Sequence, residues 1–166
     1  MCRQEPLLPI IGLDLSLTGT GICTLEGENV RFDTVGYGLK RSARQKDKIE
    51  RIIEIVSSII SAVETCDSTP VVGIEGYAFG ARGAQNDLGE LHGTVKTQLW
   101  LAHQIESVII TPSHARKTVL GRGKLSKQEI IDLLTNRGID ARNNNEADAY
   151  VVAKCLQLKV EKGDYK

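Results

Sequence analysis

The sequence carries no excess of either charge: 21 Lys and Arg are matched by 21 Asp and Glu over 166 residues. That balance speaks against a strongly basic coat protein, a histone-like binder or a polycationic membrane protein. No apolar run is long enough to span a bilayer. The most apolar early stretch, Leu7 to Leu17, is interrupted by Asp14 and has no basic leader. Cysteine is sparse and dispersed. Cys2, Cys23, Cys66 and Cys155 offer no pair at metal-ligand spacing and no disulfide framework, which predicts reduced thiols in a cytoplasmic setting. His92, His103 and His114 are equally scattered and read as structural or surface residues, not a zinc set. Repeats, linkers and low-complexity segments are also missing. One domain over 1–166 is expected, with 160–166 frayed. A composition 41% hydrophobic and 25% charged is enough for an ordinary buried core.

What is present is a clear order of elements. Ile10 to Leu15 reads as a buried strand, Gly19-Thr20-Gly21 as a turn, and Ile22 to Leu25 as the returning strand. A third strand is expected around Val30 to Tyr37. Ile49, Ile52, Ile53, Val56, Ile59, Ile60 and Val63 recur at helical spacing, with Ser42 as the predicted N-cap. Val71 to Glu75 is a fourth strand, followed by a glycine-rich loop (76–85) and a helix from about Asp87 to Gln104. That helix carries a stripe of Leu88, Leu91, Val95, Leu99 and Ala102. Val108 to Ile110 is a fifth strand. Helical pieces follow, one from Lys127 to Asn136 and a last one capped by Asn143 to Asn145 and running to about Val160. Three strands that can pair antiparallel, followed by βαβ crossovers, predict an α/β fold with a five-stranded mixed sheet flanked by helices.

Two acids interrupt these apolar strands. Alternation puts Gly12, Asp14 and Ser16 on one face of the first strand, and Val71, Gly73 and Glu75 on one face of the fourth. In each case a glycine two positions earlier suggests open space beside the acid. Buried carboxylates need partners, and two neighbouring ones repel unless a cation joins them. Taken singly, each acid is also explained by a loop cap or a distant arginine. Asp148 is the third candidate, placed in the first turn of the last helix, with Asn145 three residues earlier on the same face. Alone it reads as a helix-dipole carboxylate. Together, oxygen donors from three separated segments suit Mg²⁺ or Mn²⁺ and not zinc. Two such ions at one site activate water and stabilise the leaving oxygen in phosphodiester hydrolysis.

Four short motifs in order then resemble one family. Ile11-Gly12-Leu13-Asp14-Leu15-Ser16-Leu17-Thr18-Gly19-Thr20-Gly21 is similar to the first motif of RuvC-type Holliday junction resolvases, and Val72-Gly73-Ile74-Glu75-Gly76-Tyr77 to the second. Pro112 to Lys127 resembles the family's basic DNA-contacting stretch, and Asn145-Glu146-Ala147-Asp148-Ala149 its C-terminal acidic motif. The wording is nearest the phage and prophage branch. The resemblance implies an RNase H-like fold and a crossover junction endodeoxyribonuclease. It also implies a homodimer, with two Mg²⁺ per active site, Mn²⁺ able to substitute, and paired symmetric nicks in a four-way DNA junction. Asp14, Glu75 and Asp148 fall on the metal-binding carboxylates. Lys127 joins them as a catalytic position, and Asn145 stands where relatives often carry Asp or His.

The same resemblance singles out Arg116 and Lys127 as basic positions near the scissile phosphate. Lys117, Arg122 and Lys124 complete a run from His114 to Lys127 that holds no acid and can follow a phosphate backbone; a solvated basic loop is the plainer explanation. A second basic group, Lys40, Arg41, Arg44, Lys46 and Lys48, reads as solvated because Asp47, Glu50 and Glu54 lie close by. In the glycine-rich loop, Tyr77 or Phe79 fits an aromatic wedge, Phe79 being favoured, with Arg82 beside it for DNA; an aromatic folded back on the core is the alternative. Packing on the parent sheet is the default reading of the 87–104 stripe; the resemblance implies that part of it, with Trp100, faces a partner subunit. Three other readings stay open: a nuclease debranching DNA broadly, an RNase H-like nuclease processing structured RNA, and an actin-like or sugar-kinase-type nucleotide lobe. The last needs two lobes, whereas this chain has residues for one, so no nucleotide cofactor and no membrane partner are expected.

Overall fold

Strand β1 (Ile10–Asp14) is the centre from which the sheet is built. It pairs antiparallel with β2 (Thr20–Glu26), which pairs antiparallel with β3 (Asn29–Val35). On its other side β1 runs parallel to β4 (Val71–Glu75), and β4 parallel to β5 (Val108–Ile110). The sheet order is therefore β3-β2-β1-β4-β5, a five-stranded mixed sheet. Among the described residues the helices are α1 (Gln45–Glu64), α2 (Gln85–His103), α3 (Pro112–Leu120), α4 (Lys127–Thr135) and α5 (Asn144–Lys162). The computed structural model describes residues 8–36, 38–40, 42–76 and 85–165.

Alternation along β1 assigns its side chains to two cores. Ile11 and Leu13, continued by Leu15 and Leu17, pack with Ile52, Ile55 and Ile59 of α1 and with Leu91, Val95 and Leu99 of α2. Ile10 joins Cys23 and Leu25 of β2 under α3, α4 and α5 on the opposite face. Three layers result, with helices on both sides of the sheet. Among the described residues no helix is long and apolar enough to cross a membrane. Cys23, Cys66 and Cys155 are free thiols, and Cys2 lies outside the described residues.

Four local expectations need correction. The chain reverses at Leu17–Thr18, where Thr20 Oγ1 donates to Ser16 O (2.8 Å) and accepts from Ser16 N–H (3.1 Å). Gly21 is therefore inside β2, not in the turn. Helix α1 starts after Arg44 instead of Ser42, because Asp47 Oδ2 accepts the Arg44 backbone N–H at 3.0 Å. Its buried face is centred on Ile52, Ile55, Ile59 and Val63, rotated from the predicted stripe, so Ile49 and Ile53 stand exposed. On α2 only the middle of the stripe, Leu91, Val95 and Leu99, is buried, whereas Ala102 is exposed. The remaining helix ends follow local chemistry. Ser126 and Glu129 exchange hydrogen bonds in a capping box at α4. Asn143 caps α5, which continues to Lys162 before left-handed Gly163 ends it.

Candidate active site

The parallel pairing of β1 with β4 sets Gly12 opposite Gly73 and Leu13 opposite Ile74. Continuing that register by one residue brings Asp14 beside Glu75 at the carboxyl ends of adjacent strands. The glycines preceding the acids do not leave open space as expected. A Cβ on Gly12 would fall on the backbone of Ala149 and Ala153, and one on Gly21 on the backbone of Asn145. At Gly73 it would meet Leu156 Cδ2 at 3.0 Å and Val152 Cγ1 at 3.2 Å. The missing side chains let α5 lie directly on β1 and β2. That close approach carries Asp148 to the acid pair.

Asp148 sits one turn inside α5, not in its first turn, because the helix begins at Asn144. The helix-end field that would explain it alone is weaker there. It is buried, and its Oδ1 accepts a hydrogen bond from Arg116 Nη2 at 3.0 Å. The distant arginine that was the alternative for the two strand acids pairs instead with this one, and it comes from α3. Asp14, Glu75 and Arg116 line one cleft of about 370 Å³ together with Leu88, His92 and Pro112. A larger groove of about 510 Å³ between β3 and α1 contains none of the predicted site residues.

The three acids are electrostatically coupled. Burial, then repulsion from Asp148, lifts the Asp14 carboxyl to about 7; Lys127 and Arg116 oppose the rise. Burial, then repulsion from Asp14 and Asp148, lifts Glu75 to about 8, against Arg116 and Lys127. Lys127, the first residue of α4, is exposed yet close enough to act on both acids. The donors are oxygens only, and their mutual repulsion is what a hard divalent cation relieves. The chemistry fits such an ion. The acids are nevertheless not closed around a common point: among the described residues no three His, Cys, Asp or Glu side chains are gathered tightly enough to hold a metal.

The other predicted site residues divide. Asn145 is partly buried one turn before Asp148, and its main chain rests against Gly21. Lys117 and Lys124 are exposed. Arg122 is exposed too but leans towards Glu129 at 3.7 Å, so an acid just beyond the predicted run reaches back into it. Tyr77, Phe79 and Arg82 lie outside the described residues. Three members of the second basic group are paired: Arg44 with Asp47, Lys46 with Glu50 and Lys48 with Asp87 of α2, while Arg41 lies outside the described residues.

Two residues escaped the sequence reading. His92 is buried in the cleft wall, and burial, then Lys96, lowers it to about 4, so its ring is neutral at pH 7. A lone histidine on an amphipathic helix gives no signal of this. Glu146 is fully buried and faces β3, away from the acids. It accepts from Thr34 Oγ1 (3.0 Å), the Arg142 backbone N–H (2.8 Å) and the Arg142 guanidinium. Asn143 closes the ring by accepting the Glu146 N–H and donating to Thr34. The spacing of Arg142 and Asn143 ahead of Glu146 was the available hint.

Fold and site together define an RNase H-like domain with an acidic cleft at the carboxyl ends of two parallel strands. The chain is RuvC-like along nearly its whole length, which bears out the resemblance read from four motifs. It is 25% identical to a RuvC crossover junction endodeoxyribonuclease of Prochlorococcus marinus over 147 residues, covering 87% of this chain and 92% of that protein. The RuvC of a second strain is 24% identical over the same coverage. A Thermus thermophilus RuvC structure superposes with a TM-score of 0.69 at 17% identity, covering 96% of this chain and 99% of that one. The same protein in complex with Holliday junction substrate gives 0.75 at 16%, covering 96% and 98%. No family model matches the chain.

Proposed function

We infer that this chain is a metal-dependent endonuclease that resolves four-way DNA junctions, working as a homodimer that places paired symmetric nicks. The observation that carries the reading is the approach of Asp148, on α5, to Asp14 and Glu75 at the strand ends, so that each strand acid titrates against its neighbours. The fold's likeness to a RuvC bound to junction substrate supports DNA as the substrate class. Asp14, Glu75 and Asp148 would hold Mg²⁺ or Mn²⁺, two ions per site, with Asn145 contributing an amide oxygen. Bound there, such ions activate water and stabilise the leaving oxygen of a phosphodiester. Arg116 and Lys127 border the acids from α3 and α4 and meet the phosphate flanking the cut. Lys117, Arg122 and Lys124 extend that contact along the backbone, where cations position DNA without reading its bases. Tyr77, Phe79 and Arg82 serve the junction centre, Phe79 as the wedge. At the outward edge of α2, Trp100 and Leu101 are 55% and 68% exposed, and this edge faces the partner subunit.

The test compares matched duplex, flap, three-way and four-way DNA with structured RNA, using one preparation and Mg²⁺. Four-way junctions should be nicked in symmetric pairs. Asp14→Asn, Glu75→Gln and Asp148→Asn should each abolish cutting while junction binding persists. Cutting confined to RNA overturns the reading, and equal cutting of every branched DNA replaces it with a general debranching nuclease.

A further inference from the structure

Among the described residues, Asp148 is the one acid of the three with a direct ionic partner. Its Oδ1 lies 3.0 Å from Arg116 Nη2, and the two side chains are only 12% and 23% exposed. Water screens this pair weakly, so a cation approaching Asp148 meets the guanidinium first. The three acids also stand short of a closed ligand set, and a guanidinium bonded to Asp148 is a physical reason for that. Arg116 has a second outlet. It lines the cleft beside Glu75 and Pro112, and a phosphodiester offers a guanidinium two acceptor oxygens in the fork geometry that suits it.

We propose that Arg116 is an internal counter-cation that competes with divalent metal for Asp148 and releases this carboxylate when a DNA phosphate takes its guanidinium. This rests on the nuclease reading above and adds regulation to the same site. DNA binding then strengthens metal binding, and by linkage metal strengthens DNA binding by the same factor. A chain that meets Mg²⁺ without DNA stays poorly loaded, which confines cleavage to engaged substrate.

The experiment is Mn²⁺ titration by calorimetry, without DNA and with a four-way junction whose central linkages are hydrolysis-resistant phosphorothioates. In DNA-free protein Arg116→Gln should bind Mn²⁺ about tenfold more tightly than the parent, within the usual range of coupling between sites. The junction should tighten Mn²⁺ binding to the parent by a similar factor and add little in the variant. Lys117→Gln makes the same charge change one residue along and should leave Mn²⁺ affinity within about twofold. Arg116→Lys, which keeps the charge but loses the fork, should fall between parent and Arg116→Gln, and it covers the case in which the glutamine variant folds poorly. Equal Mn²⁺ affinity of parent and Arg116→Gln, or equal tightening by Lys117→Gln, overturns the proposal. So does parent affinity that ignores the junction. Asp14→Asn separates the two ideas. If it retains full Mn²⁺ binding, the nuclease reading itself fails; if it loses Mn²⁺ while Arg116→Gln changes nothing, only the counter-cation role falls.

Discussion

Replacing Asp14 by asparagine should make the metal-free protein more stable, and the effect should depend on pH in a defined direction. The folded Asp14 carboxyl titrates near 7, against 3.8 when unperturbed. Below about pH 4 folded and unfolded chains both hold this proton, and the site imposes no penalty. Above that, the unfolded chain releases the proton while the folded chain keeps it, so stability falls steadily until the folded acid ionises near pH 7. The accumulated cost is on the order of 4 kcal/mol. Glu75, moved from 4.5 to about 8, follows the same sign over a slightly higher window. The two costs do not simply add, because each acid contributes to the other's environment. Asp14→Asn removes the first cost and part of the second, since Asp14 is the largest charge repelling Glu75. Urea denaturation in chelator should therefore show the variant more stable by on the order of 4 kcal/mol at pH 8.5 and nearly unchanged at pH 4. The difference between the two proteins isolates the cleft from Asp47 and Glu129, whose lowered carboxyls give a slope of the opposite sign in acid. Saturating Mg²⁺ should recover stability in the parent and not in the variant. An Asp14→Asn protein no more stable than its parent at pH 8.5 would refute the claim that these acids meet in a buried, repulsive cluster.

Three further outcomes follow from the packing. Gly12→Ala puts a methyl into the backbone of α5 and should cost about 1–3 kcal/mol; cleavage should drop further than stability, because Asp148 moves with the helix. Thermal melts and nicking rates of one sample check this. Arg142→Ala removes the guanidinium bonds from the fully buried Glu146 while leaving the backbone N–H, and should cost about 1–3 kcal/mol in urea denaturation, with Arg142→Lys recovering part of it. Ser126→Ala removes the α4 cap, costing about 1 kcal/mol. It should also slow nicking by loosening Lys127, which is read from single-turnover rates at saturating metal.

Much of the sheet and two of the three acids were legible because the signals are local. Apolar alternation marks β1 and β4, and a charged residue interrupting it stands out. Asp148 was legible only in company. Its own neighbourhood is an ordinary helix, and its role depends on β1, β2 and β4 glycines more than 70 positions away in sequence. Arg116 was hidden as its partner for a related reason: the two belong to helices whose packing no periodicity reports. Short-range competition explains the shifted start of α1, where Asp47 offers a better acceptor to Arg44 than Ser42 offers as a cap. The rotation of the α1 stripe has a tertiary cause, since which apolar residues are covered depends on where the sheet lies. The sequence left His92 open between structural and surface, because burial of one helical histidine is decided by the cleft it faces.

The close seating of α5 on Gly12 and Gly21 has a consequence for biosynthesis. Asp14 and Glu75 are made early, yet α5 follows every other element in the sequence and alone supplies Asp148. Until that helix docks, the glycine face of β1 and β2 is uncovered and the acid pair has no third member. Contacts between the two extremes of a chain form slowly, because loop closure precedes any reward from packing. A growing chain on the ribosome therefore holds Asp14 and Glu75 before the third acid of the cleft exists. On the nuclease reading proposed above, a product that stops short of α5 lacks Asp148 and should leave DNA uncut.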